Sequence, residues 1–119
     1  MTPDDFQLSV RRALRLLKAL ANENRLILLC ALVEGEKNVG ELEKATGVRQ
    51  PTLSQQLTYL RGAELVSTRR ASKQIYYSLA KDEVREIIAH LHDLYCPQAA
   101  DRQAAQAQPA KPSAAILAS

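Results

Sequence analysis

The stretch from Asn38 to Gly62 narrows most sharply what this chain can fold into. Asn38-x-x-Glu41 has the spacing of a capping box, in which each side chain satisfies the other residue's backbone N–H. It opens a short helix, Val39 to Thr46, closed by Gly47. The turn Gly47-Val48-Arg49-Gln50 follows, and Pro51 suits the first turn of a further helix reaching about Gly62. A short capped helix, a tight turn and a second helix make a helix-turn-helix.

The flanking segments support one mainly helical domain. From Asp5 to Ala21 the apolar residues Phe6, Val10, Ala13, Leu14 and Leu17 follow helical spacing. Leu16 and Leu20 widen that stripe beyond one face, so the helix can serve both a core and a partner. Asn22 is an N-cap for a second helix running from Glu23 through the apolar segment Leu26 to Val33 and ending at Gly35. Val66–Arg70 and Gln74–Leu79 read as a β-hairpin, with Ile75, Tyr77 and Leu79 alternating against Gln74, Tyr76 and Ser78. A last helix spans Asp82 to Cys96, with Val84, Ile87, Ile88 and Leu91 on one side and Pro97 ending it. The expected fold is mainly α with a small β-hairpin over residues 5–96, followed by an Ala-, Gln- and Pro-rich tail, 97–119, expected to be disordered.

Composition sets outer limits. At 119 residues with 46% apolar content the chain supports one modest core, and 4% aromatics with no Trp favour helix-on-helix packing over a sandwich or barrel. The formal charge is +3, and its distribution says more than its total. Between Arg49 and Lys73 stand Arg49, Arg61, Arg69, Arg70 and Lys73 against Glu64 alone, a basic middle suited to an acidic partner. Asp4 and Asp5 precede any apolar run, and the longest such run, Leu26 to Val33, is too short to span a bilayer. A cytosolic protein with no membrane association is therefore expected. In that reducing compartment any bond between the two cysteines, Cys30 and Cys96, should be reversible.

On a helical wheel Leu53, Leu57 and Leu60 share the core side of the fourth helix, while Thr52, Ser54, Gln55, Thr58 and Tyr59 lie opposite. Gln56 points nearer the core. Short hydroxyl and amide side chains on an exposed helix can bond base edges and phosphates in the major groove. A polar face can also be merely solvated. The short capped helix before it and the basic hairpin after it favour duplex DNA, with Arg49 and Gln50 in the turn and Arg69, Arg70 and Lys73 on the hairpin completing the interface.

Leu20-Ala21-Asn22-Glu23-Asn24-Arg25-Leu26, Val39-Gly40-Glu41-Leu42, Gln50-Pro51-Thr52-Leu53-Ser54-Gln55-Gln56-Leu57, Leu60-Arg61 and Tyr76-Tyr77-Ser78-Leu79 together resemble the ArsR/SmtB repressors, over about residues 10–96. The resemblance implies a winged helix-turn-helix of four helices, two strands and a final helix. It also implies a homodimer formed through the first and last helices, bound to inverted-repeat operator DNA and released by an inducer. Arg49 stands where that family often has Ser, and Ala71-Ser72 where its wing tip often has glycine.

The inducer is narrowed by what the sequence holds. The third helix, Gly40-Glu41-Leu42-Glu43-Lys44, lacks the Cys-x-Cys of the family's arsenical sensors. The last helix has Asp82 but Val84 where its zinc sensors carry another ligand. His90 and His92 diverge by about 200° on a helix and cannot chelate one ion together, so neither a metal site nor a cofactor is expected. Cys30, amid Leu26, Leu29 and Val33, reads as a small buried hydrophobe. Cys96 falls near Arg85, Ala89 and His92 instead of under the core residues, and His92 can help stabilise its thiolate.

A cysteine in the second helix and another at the end of the last resemble the family's dithiol branch, which senses persulfides and redox change. Leu32-Val33-Glu34-Gly35-Glu36 and Lys73-Gln74-Ile75-Tyr76-Tyr77 resemble it too. By that resemblance the reduced protein binds DNA, and reactive sulfur species or oxidants bridge Cys30 and Cys96 by a disulfide or an inserted sulfur chain. A metal ion or another inducer is the alternative. An enzyme with Cys96 as nucleophile and His92 as base lacks a third orienting group and a glycine-rich anion loop. A winged helix that only docks proteins is opposed by the basic hairpin.

Overall fold

The computed structural model describes residues 1–95, so the expectations for Cys96 and for the tail 97–119 lie outside the described residues. Helix α1 spans Pro3–Leu20 and starts two residues before the Asp5 expected from its apolar spacing. The reason is a second capping box. The Asp5 N–H donates to Thr2 Oγ1 at 3.1 Å, the Thr2 N–H donates to Asp5 Oδ2 at 3.3 Å, and Pro3 fills the first turn. Helix α2, Glu23–Ala31, starts where Asn22 Oδ1 accepts the Arg25 N–H at 3.1 Å. It runs on into a single 3₁₀ turn, Leu32–Glu34, that ends at Gly35 with φ 145°.

Helices α3, Val39–Thr46, and α4, Thr52–Gly62, form the expected helix-turn-helix. The Asn38–Glu41 box is closed by bonds of 2.8 and 2.9 Å, and Gly47 ends α3 at φ 76°, in the left-handed region. Past α4, Glu64 takes that region without being glycine, at φ 62°. Its N–H donates to the Arg61 carbonyl at 3.0 Å and that of Leu65 to the Leu60 carbonyl at 2.9 Å, a Schellman closure that repays the backbone cost.

Strands β2, Val66–Ala71, and β3, Gln74–Leu79, pair antiparallel from Val66 opposite Leu79 to Ala71 opposite Gln74. Ser72 makes the tip with φ 57°, doing the work a glycine would do there at lower cost. The hairpin is not the whole sheet. A two-residue strand β1, Lys37–Asn38, pairs with β3 at Tyr77 and Tyr76, giving a three-stranded sheet of order β1-β3-β2 instead of the expected two strands. Such a strand is too short to show an alternation, and its Asn38 is also the cap of α3. Helix α5, Asp82–Tyr95, completes the fold.

The core is built mainly of leucine: Leu28, Leu29, Leu32, Leu42, Leu53, Leu57 and Leu60 are fully buried with Ile88. Burying each is worth about 1.5–3 kcal/mol, and their convergence from α2, α3, α4 and α5 fixes α4 on the body with one face outward. Helix α1 is different. Phe6 is 60% and Leu17 56% exposed, and on α5 Leu94 is 60% and Tyr95 55% exposed. The apolar stripe of α1 is thus largely unused by the fold of one chain. Among the described residues no helix is long and apolar enough to cross a membrane.

Candidate nucleic-acid interface

The buried trio Leu53, Leu57 and Leu60 turns the opposite side of α4 to solvent, where Ser54, Gln55, Thr58 and Tyr59 are exposed and Thr52 is half-buried. These positions differ in what they can offer a ligand. Gln55 makes no side-chain hydrogen bond among the described residues, so both its donor and its acceptor are available. Thr58 Oγ1 donates to the Ser54 carbonyl at 2.8 Å and can therefore only accept. Pro51 gives α4 no capping side chain; instead Gln50 Oε1 accepts the Ser54 N–H at 3.0 Å. That leaves the Gln50 amide NH₂ as the group it can extend outward.

Two neighbours on α4 are held from behind. The Arg25 guanidinium donates from Nη1 to Gln56 Oε1 at 3.3 Å and lies 4.1 Å over the ring of Tyr59. Tyr59, expected to face DNA, is exposed but engaged as a platform for this cation. Arg25 was not singled out as a site residue by sequence, and no local signal marks it, since the contact with Gln56 joins residues 31 apart.

On the wing, Arg70 and Lys73 are exposed and unpaired among the described residues, as is Arg49 in the turn. Arg69 is not. Its Nε donates to Glu36 Oε2 at 3.1 Å, its Nη2 to Glu36 Oε1, and its guanidinium lies 5.0 Å over the ring of Tyr76. The Arg69 hydrogen bonds hold the Glu36 carboxyl below its ordinary range, and the same bonds raise Arg69. A carboxylate with a depressed pKa loses its pairing only as pH falls through that lowered value, so at neutral pH the pair is intact.

One of the three expected wing cations is thus partly neutralised by the protein itself. Glu36→Gln should release Arg69 to a phosphate, raise affinity for any duplex, and steepen the salt dependence by about one unit of log K per log salt. The thermal midpoint should hardly change, because the pair is exposed. Titration of unrelated DNA at two salt concentrations checks this, and an unchanged slope would contradict it.

Cys30 is half-buried on α2, packed against the leucine core as expected of a small hydrophobe. Arg85 on α5 donates from Nη1 to the Val33 carbonyl at 3.3 Å, joining α5 to the 3₁₀ turn that follows the cysteine's helix. His92 on α5 has a buried Nδ1 with no hydrogen-bond partner among the described residues. Among the described residues no three His, Cys, Asp or Glu side chains gather as a metal site.

Residues 22–68, the segment holding the helix-turn-helix, match the family model described as bacterial regulatory protein, arsR family. The biofilm growth-associated repressor of Xylella fastidiosa is 45% identical over 98 residues, covering 82% of this chain and 86% of that protein. The crystal structure of that repressor, BigR, superposes with a TM-score of 0.72 over 82% of this chain and all of its own. The transcriptional activator HlyU of Vibrio cholerae is 42% identical over 96 residues, 81% of this chain and 89% of its own. Its reduced form superposes with a TM-score of 0.73, covering 77% of this chain and 97% of that one. A homodimeric winged helix-turn-helix DNA-binding domain from Mycobacterium bovis, 30% identical, gives 0.66 over 89% of this chain and 93% of its own. With this fold, this helix-turn-helix and relatives matched along most of their length, the chain belongs to the ArsR family of bacterial transcriptional regulators.

Proposed function

We propose that the chain is a cytoplasmic, homodimeric repressor that binds an inverted-repeat operator and releases it when reactive sulfur species or oxidants bridge Cys30 and Cys96. The observation that carries the DNA-binding part is the outward face of α4, where Gln55 keeps both hydrogen-bonding functions while the leucines behind it fix the helix. Thr52, Ser54, Thr58 and Tyr59 flank it, and Arg49, Gln50, Arg70 and Lys73 supply the backbone contacts, with Arg69 joining them when Glu36 lets go. Similarity to a repressor and to a homodimeric DNA-binding domain supports the same reading.

The bare apolar residues of α1 and α5 support a dimer, since patches of this kind mark association surfaces. Half-sites about 10 base pairs apart, or a multiple of it, would suit two reading helices on one face of the duplex. Because Phe6 and Leu17 are exposed in the single chain, Phe6→Glu with Leu17→Glu should leave folding intact yet give a monomer in sedimentation at micromolar concentration. Operator affinity should fall by about 100-fold as the second half-site contact ceases to be intramolecular. A double variant that stays dimeric would place the interface elsewhere.

The sensing part rests on the only two thiols in the sequence and on the dithiol resemblance. One thiolate attacks a sulfane sulfur of a persulfide RSSH, expelling RSH and leaving a cysteine persulfide; the second thiol displaces its terminal sulfur as H₂S. Two cysteines and one RSSH thus yield one disulfide, RSH and H₂S, and a further RSSH adds one bridging sulfur and a second RSH. His92, with a ring nitrogen unengaged among the described residues and four positions before Cys96, supports deprotonation at that end. A mobility shift on DNA from upstream of the protein's own gene, with reduced and polysulfide-treated samples side by side, tests target and inducer together. Release by a metal salt but not by polysulfide would replace the dithiol with a metal inducer.

A further inference from the structure

We propose that Arg25 is a positioning residue that couples base reading by α4 to the orientation of α1; the proposal rests on the DNA-binding reading above. Arg25 sits in the first turn of α2 with its backbone pinned by the Asn22 cap. Its Nε donates to the Ala19 carbonyl at 2.7 Å and its Nη2 to the Lys18 carbonyl at 3.2 Å. Both carbonyls belong to the last turn of α1, where a helix has no N–H donors of its own to offer them. The third nitrogen reaches Gln56 on α4, and the plane of the group covers the Tyr59 ring. One half-buried side chain on α2 therefore holds both α1 and α4.

Only a guanidinium spreads its donors over a fixed planar fork that can do this while stacking; an ammonium also has three donors, but all on one nitrogen, and cannot span the same acceptors. Gln56 and Tyr59 flank Gln55 and Thr58 in sequence, so rotating α4 relative to α1 must break the Gln56 bond or slide Tyr59 from under the cation. Helix α1 carries the apolar stripe that one chain leaves bare. If two copies meet there, the separation and tilt of their α4 helices pass through the α1–α4 geometry that Arg25 holds. Tyr59 and Gln56 are on this account part of the mount, and Ser54 and Gln55 the part that reads.

The test titrates operator and a scrambled duplex, at one salt concentration, with wild type, R25K, Q56A and R25K/Q56A, alongside thermal melting and sedimentation. R25K keeps the charge, so scrambled-DNA affinity should be unchanged while operator affinity falls about tenfold, at every base step of the half-site together. Q56A should lower the same ratio, and the double variant should be no worse than R25K, because both break one unit. An unchanged operator-to-scrambled ratio in R25K, additive losses, or loss confined to one base step, which marks direct contact, would each overturn the proposal. Should R25K not fold, Q56A alone decides it by the same base-step readout, since Arg25 keeps its bonds to α1. Failure of wild type itself to prefer operator would instead overturn the DNA-binding reading.

Discussion

Cys30→Ser and Cys96→Ser should each bind operator as wild type does when reduced and no longer let go of it under polysulfide. In wild type, bridging should weaken operator affinity 10- to 100-fold, equivalent to a coupling of about 1.4–2.8 kcal/mol, which modest strain between α2 and α5 can supply. Serine keeps nearly the shape of cysteine but forms no sulfur bridge. Cys30 is half-buried against the core, so its serine variant places a hydroxyl in an apolar setting at a cost of about 1 kcal/mol, and its melting curve must be recorded first. Mass spectrometry of treated wild type should show an intramolecular Cys30–Cys96 link, lighter than the reduced protein by two hydrogens for a disulfide, with whole sulfurs added to that mass for a longer bridge. If either serine variant is still released, or if the two thiols are modified independently, the bridge is not the switch.

The second large effect separates reading from attraction. Gln55→Ala should cost about 1–3 kcal/mol on operator and little on mismatched duplex, because a bidentate amide contact to a base edge is lost while the charge is unchanged. Arg70→Ala should weaken both duplexes alike and flatten the salt dependence by about one unit. The contrast follows from the two environments: Gln55 stands on the outward face of α4, and Arg70 is an unpaired cation on the wing. Gln55→Ala protein that discriminates as well as wild type would sink the assignment of α4 as the reading helix.

Local chemistry explains what could be read from residue order. The Asn38–Glu41 box, Gly47 and the Leu53–Leu57–Leu60 stripe are short-range signals, and the helix boundaries and buried face of α4 fall where they point. The start of α1 is equally local, but apolar spacing points to Asp5, whereas Thr2, Pro3 and Asp5 carry the boundary. Features made by contacts between distant residues were not legible. Strand β1 exists only because β3 lies beside it, Arg69 meets Glu36 across 33 positions, and Arg25 meets Gln56 across 31. Charge counting treated Arg69 and Arg70 as equals, and tertiary pairing makes them different. Likewise a wheel puts Tyr59 on the outward face of α4, where it is exposed, but does not show that a cation covers its ring.

The central claim, that one dithiol governs operator binding, is most directly tested by titrating a single labelled operator with one preparation in three states: reduced, polysulfide-treated, and reduced again with dithiothreitol. The account predicts tight binding, then binding weaker by at least tenfold, then full recovery, with the Cys30–Cys96 link present only in the middle state. Equal affinity in all three states, or a loss that reduction does not reverse, would contradict it.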